Sequence, residues 1–125
     1  MARKILVVDD EEAIQAVVKA SLEVTTDWNI LAASSATEGM TMLQAEQPDA
    51  ILLDVIMPEL DGISLFHMLK AQALTKNIPV IFLTAKTRKE EQLEIEALGG
   101  SGIVVKPFEP ATLADHIRAL LHWPE

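Results

Sequence analysis

Three aspartates stand at the ends of two apolar runs, and their chemistry is the most informative feature of the sequence. Asp9 and Asp10 directly follow one apolar run, and Asp54 follows another. Carboxylates that are held close together raise one another's pKa unless cations compensate their charge. Lys106 follows a third apolar run and supplies one positive charge, and Mg²⁺, which prefers oxygen ligands, would supply two. The pattern predicts a Mg²⁺ site made of carboxylates.

Asp54 is the residue in this set that is best suited to react. A metal-bound carboxylate that is sterically free can attack a phosphoryl group, and the transfer needs mainly positioning and charge neutralisation. Mg²⁺ would bridge Asp54 and one phosphoryl oxygen. Lys106 would neutralise a second oxygen, and the hydroxyl of Thr84 would donate a hydrogen bond to a third. The residue types therefore predict that Asp54 accepts a phosphoryl group.

The elements that must position these residues are visible as five short apolar runs. The runs are continuous rather than alternating, as in strands of a parallel sheet that is covered on both faces. Segments of helical period separate them, which predicts an α/β fold: a doubly wound (βα)5 parallel sheet in the flavodoxin-like order 2-1-3-4-5. Ligands bind such sheets outside the carboxyl ends of the strands. The predicted strands cover residues 5–8, 30–33, 51–53, 80–83 and 103–105.

Several helix boundaries also have sequence signals. Ser35 with Glu38, and Thr87 with Glu90, have the spacing of a capping box at a helix start. Pro110 suits the first position of the last helix. The helix predicted over 88–98 has few apolar residues and many glutamates. We therefore expect that helix to be thinly anchored and to be a candidate for movement.

Composition limits the classes of protein that fit. The 125 residues suit one domain, half of them are apolar, and none is cysteine, so disulfides and thiolate chemistry are excluded. A net charge of −9 disfavours direct nucleic-acid binding. No apolar stretch reaches the ~20 residues of a membrane span, and the first residues do not form a signal peptide. We expect a single cytoplasmic domain over 1–125 with no output domain and no membrane contact.

Four motifs, taken together, resemble the receiver domain of two-component response regulators, of the free-standing CheY-like type. They are VVDDE at 7–11, LLDVIMPELDGISL at 52–65, LTA at 83–85 and KPF at 106–108. The resemblance spans the whole chain. It implies that Asp54 is the phosphoacceptor, that Asp9 and Asp10 bind Mg²⁺, and that Thr84 and Lys106 sense the phosphoryl group.

The resemblance implies further roles. The backbone carbonyl of Ile56 would complete the metal shell, and Pro58, Gly62 and Pro107 would shape the loops, with a cis peptide bond before Pro107. The phosphoryl group would come from a sensor histidine kinase or a histidine phosphotransfer protein. The domain would catalyse only its own phosphorylation and dephosphorylation. It would signal to a protein target, or form a homodimer, through the fourth helix, fifth strand and fifth helix.

Three positions depart from the family's usual pattern. Ile103 stands where an aromatic switch residue is common, so we expect switching to depend more on the 84–90 loop. Ile56 and Lys86 stand where rapidly dephosphorylating receivers often carry polar or acidic groups that orient water. We therefore expect a long-lived phosphorylated form, and loss of phosphate within seconds would contradict this.

Other interpretations of the same residues remain open. A degenerate receiver would act as an interaction module without phosphate. A Mg²⁺-dependent hydrolase of the haloacid-dehalogenase type is disfavoured because Ile56 replaces the second acid that such enzymes need as general acid–base. A nucleotide or flavin binder is disfavoured because no phosphate-binding glycine motif follows the first predicted strand.

Overall fold

The structure, a computed structural model, describes residues 2–57, 61–85 and 88–124. Within these residues, five strands alternate with five helices. The elements are β1 (Lys4–Val8), α1 (Glu12–Thr25), β2 (Asn29–Ala33), α2 (Ala36–Glu46), β3 (Ala50–Asp54), α3 (Gly62–Lys70), β4 (Val80–Thr84), α4 (Lys89–Glu96), β5 (Gly102–Val105) and α5 (Leu113–Leu121).

The strands form one parallel sheet in the order β2-β1-β3-β4-β5, which confirms the predicted fold. Val8 of β1 pairs with Leu53 of β3. Asp9 follows Val8 and Asp54 follows Leu53, so this register brings the two aspartates to the same edge of the sheet. Thr84, at the end of β4, pairs with Val105, so that Lys106 follows directly beside it. The carboxyl ends of four strands therefore meet where the sequence places its polar residues.

Each face of the sheet carries its own hydrophobic core. Leu6, Val8 and Leu53 point to one face, where they join a cluster with buried residues of α2 and α3. Val7 and Leu52 point to the other face, where they pack with buried residues of α1 and α5. Helices on both faces explain why residues 5–8 of β1, 50–53 of β3 and 80–83 of β4 are continuously apolar, since these stretches are buried on both faces.

Two of the predicted helix boundaries can be compared with the structure. Ser35 caps α2, because its hydroxyl accepts the backbone N–H of Glu38 at 3.1 Å. Pro110 begins a short 3-10 turn, Pro110–Thr112, and α5 starts only at Leu113, so its predicted place at the first position of the helix was wrong. Thr87, the predicted cap of α4, lies outside the described residues.

The helix α4 has a weak hydrophobic anchor, as its composition predicts. It runs from Lys89 to Glu96, two residues shorter than expected at its far end, and Ile95 is its buried residue. Leu93, on the same helix, is 52% exposed. Among the described residues, no helix is both long enough and apolar enough to cross a membrane.

Candidate functional site

The candidate site begins with Asp54 at the carboxyl end of β3. Its side chain is almost completely buried, and Oδ1 accepts the backbone N–H of Ile56 at 3.3 Å. Asp9, at the end of the neighbouring β1, is fully buried, and its Oδ1 accepts the N–H of Glu11 at 2.8 Å. Two buried carboxylates thus lie side by side, an arrangement that requires compensating positive charge.

Lys106 supplies part of that charge. Its Nζ lies 2.8 Å from Asp9 Oδ2 and 3.4 Å from Asp54 Oδ1, and it reaches Glu11 Oε1 at 3.5 Å. Its backbone N–H donates to the carbonyl of Thr84 at 2.8 Å, which fixes the start of the loop after β5. The Lys106–Pro107 peptide bond is cis, as the resemblance implies.

Burial and charge change the protonation of both partners. Burial raises the pKa of Asp54 to about 6, and the negative charge of Asp9 acts in the same direction. The charge of Lys106 and the hydrogen bond from the Ile56 N–H oppose this by lowering the pKa. Burial alone would lower the pKa of Lys106, but its contact with Asp9 and the nearby acids raise it above its ordinary value. Lys106 therefore stays charged. Its single positive charge cannot neutralise the carboxylates of Asp54 and Asp9 together.

A third acid belongs to the group. Asp9, Glu11 and Asp54 each offer a carboxylate oxygen within 4.8 Å of the others, so the three form a candidate group for holding a metal ion. Glu11 was not predicted as a member of this group, although it continues the acidic run after Asp9. Asp10 is exposed and lines a cavity beside this group, and its assignment as a metal ligand stays a prediction.

These side chains surround an open cavity of about 210 Å³. This is several times the roughly 30 Å³ that one water occupies in the liquid, so a hydrated metal ion and a phosphoryl group have room there. Oxygen donors and a cation are the groups that Mg²⁺ and phosphate require. The lining residues are Asp10, Glu11, Asp54, Ile56, Thr84, Ala85 and Lys106.

The start of α3 packs closely against the end of β3. A Cβ on Gly62 would lie 1.9 Å from the carbonyl oxygen of Asp54, so glycine alone fits there. The Gly62 N–H donates to the carbonyl of Val55 at 3.0 Å, and Asp61 caps the helix through the N–H of Ser64 at 2.8 Å. Pro58, predicted to shape this loop, lies outside the described residues.

The predicted switch residues occupy different environments. The Thr84 residue is 1% exposed and lines the cavity. Ile103 pairs with Phe82 across β4 and β5 and packs, partly buried, against the core that contains α2 and α3. Their movement on phosphorylation stays a prediction. Ile56 is 62% exposed and lines the cavity, and the role of its carbonyl also stays a prediction. Lys86 lies outside the described residues.

Curated relatives share this sequence over nearly its full length. The alkaline phosphatase synthesis transcriptional regulatory protein PhoP of Bacillus subtilis is 36% identical over 100% of the chain and 51% of its own length. The phosphate regulon transcriptional regulatory protein PhoB of Pseudomonas aeruginosa is 33% identical over 97% of the chain and 52% of its own length. The chain therefore spans about half the length of these relatives.

Solved structures show the same architecture. The chemotaxis protein CheY4 of Vibrio cholerae superposes with a TM-score of 0.87 at 30% identity, over 96% of this chain and 99% of that one. The receiver domain of a histidine kinase from Syntrophus aciditrophicus superposes with a TM-score of 0.84 at 31% identity. The match covers 99% of this chain and 93% of that one. The family model described as the response regulator receiver domain matches residues 5–118. With that match and the site geometry, the chain belongs to the response regulator receiver domain family.

Proposed function

We propose that Asp54 accepts a phosphoryl group from a phosphohistidine of a sensor kinase or phosphotransfer protein, with Mg²⁺ held at the acidic end of the sheet. The observation that carries this proposal is the position of Lys106. Its ammonium lies within 3.4 Å of the Asp54 carboxylate at the wall of an open cavity, where a phosphoryl group on Asp54 would find a cation.

The transfer forms one bond and breaks another. A carboxylate oxygen of Asp54 bonds to phosphorus while the bond from phosphorus to the imidazole nitrogen of the donor breaks, and the leaving imidazole takes up a proton. Asp9, Asp54 and a further acid, Asp10 or Glu11, would hold Mg²⁺, which would neutralise negative charge on the phosphoryl oxygens. Lys106 pairs with a second phosphoryl oxygen, and Thr84, which lines the same cavity, donates its hydroxyl to a third.

The product is a mixed anhydride on the protein's own side chain. Since the acceptor is a residue of the chain, the protein catalyses only its own phosphorylation and dephosphorylation. It turns over no free substrate. Phosphorylation then changes the surface from 84 to 105, where α4 is held by Ile95. That change controls contact with a partner protein, or formation of a homodimer, through α4, β5 and α5.

The protein acts in the cytoplasm, where histidine kinases present their phosphoryl groups. Relatives such as PhoP of Bacillus subtilis are named as transcriptional regulators, and this chain joins a similar pathway through its receiver region. Its 125 residues carry a net charge of −9, which disfavours contact of these residues with phosphate backbones. The runner-up is a phosphate-independent interaction module on the same surface.

Intact mass spectrometry after incubation with acetyl phosphate and Mg²⁺ tests the proposal. We expect a gain of one phosphoryl group on the wild-type protein and on Asp27→Asn, which changes an exposed aspartate before β2. We expect no gain on Asp54→Asn or in the presence of a chelator. A wild-type protein that stays unmodified, also with phosphoramidate as donor, would favour the phosphate-independent module.

A further inference from the structure

A second cavity, separate from the acidic site, lies between the start of α3 and one face of α4. It has a volume of about 210 Å³. Cavities of roughly 150 Å³ already accommodate a benzene-sized group, so this groove has room for one large apolar side chain. Its lining, which we call the α3–α4 groove, comprises Val55, Ile63, Glu91, Glu94, Ile95 and Leu98.

The groove combines an apolar floor with an acidic rim. Val55 and Ile95 are buried at its base, and Ile63 and Leu98 are partly exposed at its sides. The two glutamates lie one helical turn apart on the same face of α4 as Ile95. A ligand that fits must therefore present an apolar group and a positive charge close to each other.

The charge on this helix is not balanced at its far end. Arg88 lies 3.9 Å from Glu91, so the first turn has a nearby cation. The last turn carries Glu94 and Glu96 and no basic residue, although the negative end of a helix dipole favours cations there. No cation in the described ranges 2–57, 61–85 and 88–124 is found in ion-pair contact with Glu94. An external cation beside Glu94 would relieve the repulsion between the two glutamates and their repulsion by the negative end of the helix dipole.

We propose that the α3–α4 groove binds a basic, amphipathic segment of a partner protein. An apolar side chain of that segment enters the groove between Ile63 and Leu98. A neighbouring lysine or arginine pairs with Glu94 near the carboxyl end of α4. Complementary charge of this kind favours encounter and fixes the register of the bound segment.

Other occupants fit the charge less well. A second copy of this chain carries the same net charge of −9 and the same acidic rim, so the groove of one copy would repel a second copy seated on it. Nucleic acid and anionic lipid are repelled for the same reason. A cationic protein segment with an apolar anchor is therefore the occupant that the groove favours.

The groove also contacts the acceptor strand. Val55 follows Asp54 directly, and its N–H donates to the carbonyl of Leu83 at 3.0 Å. A segment bound here would bridge α4 to this strand. If the proposed phosphorylation of Asp54 moves α4, it must change the affinity of the groove for the segment. A bound segment must then change the equilibrium constant for phosphorylation by the same factor. This coupling rests on the proposed function, whereas binding to the unmodified protein does not.

Selection of a displayed library of short random peptides on the unmodified full chain tests the proposal. We expect enriched peptides to carry Lys or Arg next to a large apolar residue. Their affinity should fall by about tenfold or more in Glu94→Lys. The matched control is Glu96→Lys, the same charge reversal on the same exposed helix but outside the groove lining, where we expect less than about a twofold loss.

Amide chemical shifts on addition of an enriched peptide locate its site. We expect the largest shifts at Val55, Ile63 and Leu98. Equal losses in the two variants, shifts confined to another surface, or the absence of basic peptides among those enriched would each overturn the proposal. Repeating the titration after acetyl phosphate treatment tests the coupling alone, since an unchanged affinity would reject the coupling and leave binding in the groove established.

Discussion

At the scale of single residues, the site is organised around an excess of negative charge. Asp9 and Asp54 are both buried, and Lys106 contacts both. One ammonium cannot neutralise two carboxylates and the nearby Glu11. The free energy cost of this imbalance favours binding of a divalent cation. Burial is the main cause of the raised pKa of Asp54, and the negative charge of Asp9 adds to it.

The first prediction concerns this cost. Since the pKa of Asp54 is raised from 3.8 to about 6 in the folded protein, its ionisation destabilises the fold progressively between about pH 4 and pH 6, and the full cost is present above pH 6. Without metal at pH 7.5, we expect Asp54→Asn to increase the free energy of unfolding by roughly 1–3 kcal/mol. The gain should fall to about half at pH 5, where native Asp54 is protonated. Urea unfolding at both pH values measures it, and a gain that grows as the pH falls would contradict the assignment.

The second prediction concerns Glu11. Its carboxylate lies within reach of a cation held by Asp9 and Asp54, so removing its charge weakens Mg²⁺ binding. We expect about a fivefold loss of affinity in Glu11→Gln, or roughly 1 kcal/mol. Titration calorimetry measures the affinity. Glu12→Gln removes the same charge at the next position of the chain, outside the acidic group, and should change it less. An equal effect of both variants would show that only net charge matters.

At the scale of elements, α4 differs from the other helices in how it is held. Ile95 is 3% exposed and is the side chain that this helix buries, whereas Leu93 faces solvent. Elements with few buried apolar contacts open locally at lower free energy than the rest of a fold. The helix that follows the Thr84 loop is therefore the element best suited to change position when Asp54 is modified.

The third prediction tests this anchor with a pair of variants. Ile95→Ala removes buried methyl groups and should destabilise the protein by about 2–4 kcal/mol, with faster amide exchange in α4. Leu93→Ala makes a similar truncation on the exposed side of the helix, and we expect a loss below about 1 kcal/mol. Hydrogen exchange and urea unfolding give both values. Similar losses in the two variants would place the anchor elsewhere.

At the scale of the whole molecule, the sequence predicts the sheet and the acidic site for one physical reason. Continuous apolar runs specify buried strands, and the first residue after each run falls at a common edge, so Asp9, Asp54 and Lys106 had to converge. Side-chain direction at helix starts is not specified in this way. The approach of Glu11, and the groove formed by Ile63 and Glu94, depend on how helices pack and were not predictable.

The fourth prediction concerns a pair of tryptophans that lies far from the acidic site. Trp28 lies just before β2, and its ring packs edge-on against Trp123 after α5, with centroids 5.4 Å apart. A strand of five residues spans about 16 Å, so this pair lies far from the carboxyl-end site. We expect tryptophan emission to stay nearly constant on Mg²⁺ addition and to change in Trp123→Phe. A large Mg²⁺-dependent change would reveal coupling along the sheet.

The most direct test of the central claim is to identify the acceptor residue chemically. After treatment with acetyl phosphate and Mg²⁺, borohydride reduces an aspartyl phosphate to homoserine, and peptide sequencing by mass spectrometry locates the changed residue. We predict homoserine at position 54, and aspartate retained at Asp49 and Asp61 on either side. Homoserine at another position, or none at 54, would contradict the assignment of Asp54 as the phosphoacceptor.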